Sequence, residues 1–88
     1  MVKEIRILWT DDEIDLLKPY IIFLEEKGYA VSTAVSGEEA LEIVQESIED
    51  GFEIPVVIAD FIMPNMKGDE LLSRIHELLD DTKSIMLT

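Results

Sequence analysis

Ile54-Pro55-Val56-Val57-Ile58-Ala59-Asp60 is the stretch on which the fold turns. Its apolar run is continuous rather than alternating and is rich in β-branched residues, which reads as a strand buried on both faces, as in a parallel sheet covered by helices. It ends abruptly at an acid. The start of the chain repeats that pattern, with Ile5-Arg6-Ile7-Leu8-Trp9-Thr10 running into Asp11-Asp12-Glu13. Tyr29 to Ala34 reads as a shorter strand, and Ser84-Ile85-Met86-Leu87-Thr88 begins a fourth.

Between these strands the apolar spacing becomes helical. Ile14, Leu17, Ile21 and Leu24 predict a first helix of about four turns from Asp12 to a Gly28 cap, with a kink or a first-turn shift near Lys18 caused by Pro19. Ser36 opens a second helix carrying Ala40, Leu41, Ile43, Val44 and Ile48 on its apolar side. A third, capped by Asp69, holds Leu71, Leu72, Ile75, Leu78 and Leu79. Four strands alternating with three helices imply βαβ crossovers and an α/β, three-layer fold with a mainly parallel sheet. At 88 residues, residues 1–88 are read as one domain.

Composition narrows the functions. Seven Lys and Arg against 20 Asp and Glu give a net charge of -13, which offers a phosphate backbone or an anionic membrane nothing to bind. No direct nucleic-acid or membrane contact is expected. A 48% hydrophobic content supports a core despite that charge. The absence of cysteine removes disulfides, zinc-thiolate sites and thiol nucleophiles together. With no long apolar stretch and no signal-like start, the sequence reads as cytoplasmic.

In open parallel sheets, ligands bind beyond the carboxyl ends of the strands, where strand order reverses. In a 2-1-3-4 order Asp11, Asp12 and Asp60 converge there. Acids after strands are commonly caps or solvated loop residues, but like charges brought this close need compensation. Mg²⁺ with phosphate fits, since this cation takes oxygen ligands, keeps several waters and is held by one or two carboxylates plus a phosphate. A carboxylate beside such an ion can accept a phosphoryl group, and Asp60, alone at the end of the buried strand, is the candidate. Glu13 and Asp15 are explained by a helix dipole. Glu38, Glu39, Glu42, Glu46 and Glu49 are spaced for a solvated helix face. Trp9 reads as core and His76 as a surface residue.

The strand ending Ile7-Leu8-Trp9-Thr10-Asp11-Asp12-Glu13, followed by Asp60-Phe61-Ile62-Met63-Pro64-Asn65-Met66-Lys67-Gly68, resembles the receiver domain of two-component response regulators. The resemblance runs from the first strand to Thr88. It implies a flavodoxin-like domain that takes a phosphoryl group from a histidine kinase onto Asp60, with Mg²⁺ held by Asp11, Asp12, Asp60 and the backbone carbonyl of Ile62. Thr88 matches the switch hydroxyl of such domains. The family also carries a fifth strand, with an active-site lysine at its end, and two further helices. This chain ends before them, and neither Lys67 nor Lys83 stands where that lysine would. Labelling of the 88-residue chain is therefore expected to be weak, and a homodimer or a missing C-terminal segment is expected to cover the fourth strand.

Two other functions compete with this reading. One is a truncated, phosphorylation-independent receiver-like module acting through self-association. The other, a Mg²⁺-dependent phosphohydrolase with Asp60 as nucleophile, ranks last, because Ile62 stands where such enzymes carry a second aspartate.

Overall fold

The computed structural model describes residues 4–87. In chain order its elements are β1 (Ile5–Thr10), a 3₁₀ turn (Ile14–Leu17), α1 (Lys18–Glu26), β2 (Tyr29–Ala34), α2 (Gly37–Asp50), β3 (Val56–Asp60), α3 (Gly68–Leu78) and β4 (Lys83–Leu87). The strands form one parallel sheet in the order β2-β1-β3-β4. Together with three helices this is the expected α/β, flavodoxin-like arrangement.

The order explains where the helices go. The step from β1 to β2 runs in the opposite direction along the sheet from the steps β2 to β3 and β3 to β4. With crossovers of one hand, α1 must lie on one face and α2 and α3 on the other. The core follows that division. Leu8 of β1 and Val57 and Ala59 of β3 pack with Ala40 and Val44 of α2 and Leu71, Leu72 and Ile75 of α3. Ile7 and Trp9, one residue out of phase with Leu8, are buried outside this cluster, as strand alternation requires. α1 packs against β2 and buries no residue of its own fully.

Local differences from the sequence reading have local causes. The first helix is not continuous: a 3₁₀ turn precedes α1, and Pro19 occupies its first turn. A proline there sacrifices no helical hydrogen bond, so of the two expected effects the first-turn shift at Lys18 is the one realised, and not the kink. Ser36 caps α2 as expected, its Oγ accepting from the Glu39 amide at 3.1 Å. Asp69 does not cap α3. Lys67 takes the N-cap position without a side-chain bond, and Asp69 lies in the first turn facing the helix dipole. On α2 the polar Ser47 is buried and Ile48 is 45% exposed. Ser47 Oγ donates to the Val44 carbonyl at 2.6 Å, which lets a hydroxyl replace a methyl group in the core.

β3 begins at Val56 rather than Ile54, since Pro55 has no amide to donate to a ladder. β4 is tied to β3 at both ends, by Lys83 N–H to the Pro55 carbonyl and by Phe61 N–H to the Leu87 carbonyl, both 2.8 Å. Every residue of β4 is exposed, including Ile85, Met86 and Leu87. Ile7 and Trp9 are 5% and 8% exposed, so the exposed large apolar side chains of the sheet are Ile5 on β1 and Ile85, Met86 and Leu87 on β4. No helix among the described residues is long and apolar enough to cross a membrane.

Candidate metal and phosphoacceptor site

β1 and β3 are neighbours in register, with Thr10 opposite Ala59, so the residues that follow them leave the sheet side by side. Asp11 is the first residue beyond β1 and Asp60 is the last of β3. Each of Asp11, Asp12 and Asp60 offers a carboxylate oxygen, and these oxygens all lie within 4.8 Å of one another. Asp11 and Asp60 are half-buried and Asp12 is exposed, which leaves the cluster open to solvent on one side.

The backbone fixes the ligands' starting points. Asp11 N–H donates to the Ala34 carbonyl at 3.0 Å, tying the end of β1 to the end of β2. The Asp11 carboxylate accepts the Glu13 amide at 2.8 Å, and the amide of Ile62 makes a longer contact, 3.4 Å, to the Asp60 carboxylate. Behind the cluster Thr10 is fully buried, and its Oγ1 has no hydrogen-bond partner.

Burial raises the Asp11 carboxyl above its ordinary value of 3.8. The amide of Glu13 works against that shift, whereas the negative charges of Asp60 and Asp12 add to it. A divalent ion among these carboxylates would reverse the sign of the charge effect on Asp11. The donor set, hard oxygens open to solvent on one side, matches the demands of Mg²⁺.

The segment after Asp60 is shaped by close approach. A β-carbon on Gly68 would run into the carbonyl oxygen of Asp60 and lie 3.0 Å from Phe61 Cα, so only glycine lets α3 start against the end of β3. Gly68 N–H donates to the Phe61 carbonyl at 3.0 Å and closes the loop, and Asn65 takes a positive φ of 70° within it. Lys67 Nζ lies over the Phe61 ring, 5.6 Å from its centroid, and Lys83 begins β4 at the opposite end of the sheet. Neither supplies a cation to the cluster, in keeping with the sequence. Ile62 itself is 73% exposed. Thr88 lies outside the described residues. His76 is exposed on α3, Glu13 is exposed just before the 3₁₀ turn and Asp15 is exposed within it.

Sequence reasoning brought these three carboxylates together because they stand at the ends of two strands that could be recognised. It missed the Ala34 carbonyl, a backbone acceptor that no side-chain pattern announces.

Comparison with known proteins agrees with this geometry. The family model described as the response regulator receiver domain matches residues 7–88. The sensor kinase CckA of Brucella abortus is 35% identical over 82 residues, 93% of this chain and 8% of that protein. A solved response regulator receiver domain protein from Clostridium thermocellum superposes with a TM-score of 0.81 at 36% identity, covering 96% of this chain and 64% of that one. A CheX–CheY–BeF₃–Mg²⁺ complex from Borrelia burgdorferi matches with a TM-score of 0.79 at 29% identity, covering 93% of this chain and 60% of that one. The chain thus spans less than two thirds of these relatives.

Proposed function

The chain belongs to the response regulator receiver domain family, and from that premise we propose that it is a phosphoacceptor module in which Asp60 receives a phosphoryl group from a histidine kinase. The observation that carries the reading is the meeting of three carboxylates within 4.8 Å at the carboxyl ends of two adjacent parallel strands. Asp11, Asp12 and Asp60 would hold Mg²⁺, with the Ile62 backbone carbonyl as a further ligand. Bound Mg²⁺ would neutralise charge developing on the transferring oxygens.

The reaction is a displacement. An Asp60 carboxylate oxygen attacks phosphorus, the P–N bond to the phosphohistidine imidazole breaks, the bond electrons stay on that nitrogen, and an acyl phosphate forms on Asp60. Asp11 and Asp12, as further ligands, would keep the acceptor from serving as the sole anchor of the cation. The partial burial of Asp60 limits attack by water on the product.

Turnover of a diffusible substrate is not part of this reading, since the phosphoryl group remains on the protein. A cytoplasmic location suits a kinase donor. The alternative of a phosphorylation-independent, self-associating module gains nothing from a site whose carboxylates already meet. Cover for β4, by a second copy or by a C-terminal segment, is a separate part of the proposal, tested by light scattering across a concentration series.

The metal part of the reading is tested by calorimetric titration with Mg²⁺. Binding should be clear in the wild type and strongly weakened by Asp12→Ala. Undiminished binding in Asp12→Ala combined with Asp60→Asn would remove the site.

A further inference from the structure

The two halves of the acidic site arrive on different loops. Asp11 and Asp12 follow β1, whereas Asp60 and Ile62 belong to the turn between β3 and α3. Asp11 is tied by its amide to Ala34, at the end of β2, and three residues later stands Gly37, the first residue of α2. Gly37 is buried, and it is absent from the positive-φ glycines, so backbone conformation gives no reason for glycine there. Space does. A β-carbon on Gly37 would lie 2.7 Å from Met66 Sδ, 3.1 Å from its Cβ and 3.2 Å from its Cγ.

Met66 sits in the Asp60 loop, is 6% exposed, and donates its amide to the Pro64 carbonyl at 2.8 Å. With Met63 it is one of two side chains by which residues 61–67 enter the core. From these contacts we propose that Gly37 and Met66 are positioning residues: the seating of Met66 on the bare backbone of Gly37 braces the Asp60 loop against the Asp11–Ala34 connection and so sets the spacing of the two halves of the site. The thioether can swing away from an added β-carbon, but Met66 Cβ, fixed to the backbone and 3.1 Å away, can give way only if the loop itself shifts by a few tenths of an ångström.

This inference rests on the Mg²⁺ reading above for its first readout and is independent of it for its second. Trp9, buried on β1 two residues before Asp11, is the natural fluorescence probe for the Mg²⁺ titrations, with calorimetry as the direct readout. Gly37→Ala should weaken Mg²⁺ binding roughly tenfold, the low end of what loss of a supporting contact costs a metal site. Met66→Ala should also weaken binding, and adding Gly37→Ala to it should cost nothing more, since the clashing atoms are gone.

Gly51→Ala provides the structural control. At the far end of α2, with φ 78° and no atom within 4 Å of a built β-carbon, it strains the backbone without touching the site. It should lower the melting temperature and leave Mg²⁺ affinity unchanged. Unchanged affinity in Gly37→Ala, additive loss in the double variant, or an equal loss in Gly51→Ala would overturn the proposal. If Gly37→Ala does not fold, unchanged affinity in Met66→Ala overturns it.

If the wild type takes no Mg²⁺, the metal reading falls by itself and hydrogen exchange decides the bracing. The Gly68 amide, bonded to the Phe61 carbonyl across the loop, should exchange roughly tenfold faster in Gly37→Ala without metal. An unchanged rate would overturn the proposal.

Discussion

Leu8 and Val57 are fully buried on β1 and β3, and three residues further along the chain from each stand Asp11 and Asp60, whose carboxylates crowd together with that of Asp12. The same two strands therefore run from the driest part of the molecule to its most charged. Under α2 and α3, burial of Leu8, Val57, Leu71 and Ile75 drives folding. At the carboxyl end, Asp11 resists ionisation because of burial and of Asp60 and Asp12 beside it. One region stabilises the fold, and the other is held in an unfavourable state by it. Such opposition is what a binding site built on a rigid sheet requires, because carboxylates free to separate would not present a cation with a ready cage.

Substitutions should separate the two regions cleanly. The largest effect on stability belongs to the core: Leu71→Ala should cost about 2–5 kcal/mol in denaturant unfolding, with Mg²⁺ affinity retained in whatever fraction remains folded. A loss below 1 kcal/mol would mean that the α2 and α3 face is not the main core. Next comes Asp12→Ala, which should weaken Mg²⁺ binding roughly tenfold or more while changing metal-free stability little, as Asp12 is exposed.

The smaller effects test the sign of the electrostatics. An acid whose folded pKa is raised contributes stability that is fully present below its unfolded value, near 3.8, and is lost as pH rises through the folded value. Asp11→Asn should therefore raise the metal-free melting temperature at neutral pH, by an amount worth under about 1 kcal/mol given solvent screening, and remove that part of the pH dependence. Mg²⁺ should bind less tightly as pH falls toward the Asp11 value, because proton and ion compete for the same oxygens. A drop in metal-free stability in Asp11→Asn would contradict this assignment. Smallest of all, Leu16→Ser, at a side chain 71% exposed beside α1, should stay within about 0.5 kcal/mol of wild type.

How much of this was legible in the sequence depended on whether the signal was local. The strand cores were readable because their apolar runs end in acids, whereas the 2-1-3-4 order came from the family resemblance. Asp11, Asp12 and Asp60 were placed together from those strand ends and that order. The break between the 3₁₀ turn and α1 was misread because periodicity over Ile14, Leu17 and Ile21 persists across it, while Pro19 acts as a starter and not as an interruption. The α3 cap was misread because Asp69 has a capping side chain, yet the close approach of Gly68 to Asp60 starts the helix earlier. The contact of Gly37 with Met66 joins residues distant in sequence, and Gly37 carries no side chain whose pattern could signal it.

The central claim is that the crowded carboxylates exist to make Asp60 an acceptor. It is tested most directly by treating the chain, as these 88 residues and in any longer form that contains them, with acetyl phosphate in the presence and absence of Mg²⁺, then mapping the added phosphoryl group by mass spectrometry. The account predicts a single Mg²⁺-dependent phosphoryl group on Asp60, weak in the 88 residues and stronger in a longer form that includes a fifth strand, lost in Asp60→Asn and strongly reduced in Asp12→Ala. Labelling at another carboxylate, or undiminished labelling in Asp60→Asn, would contradict it.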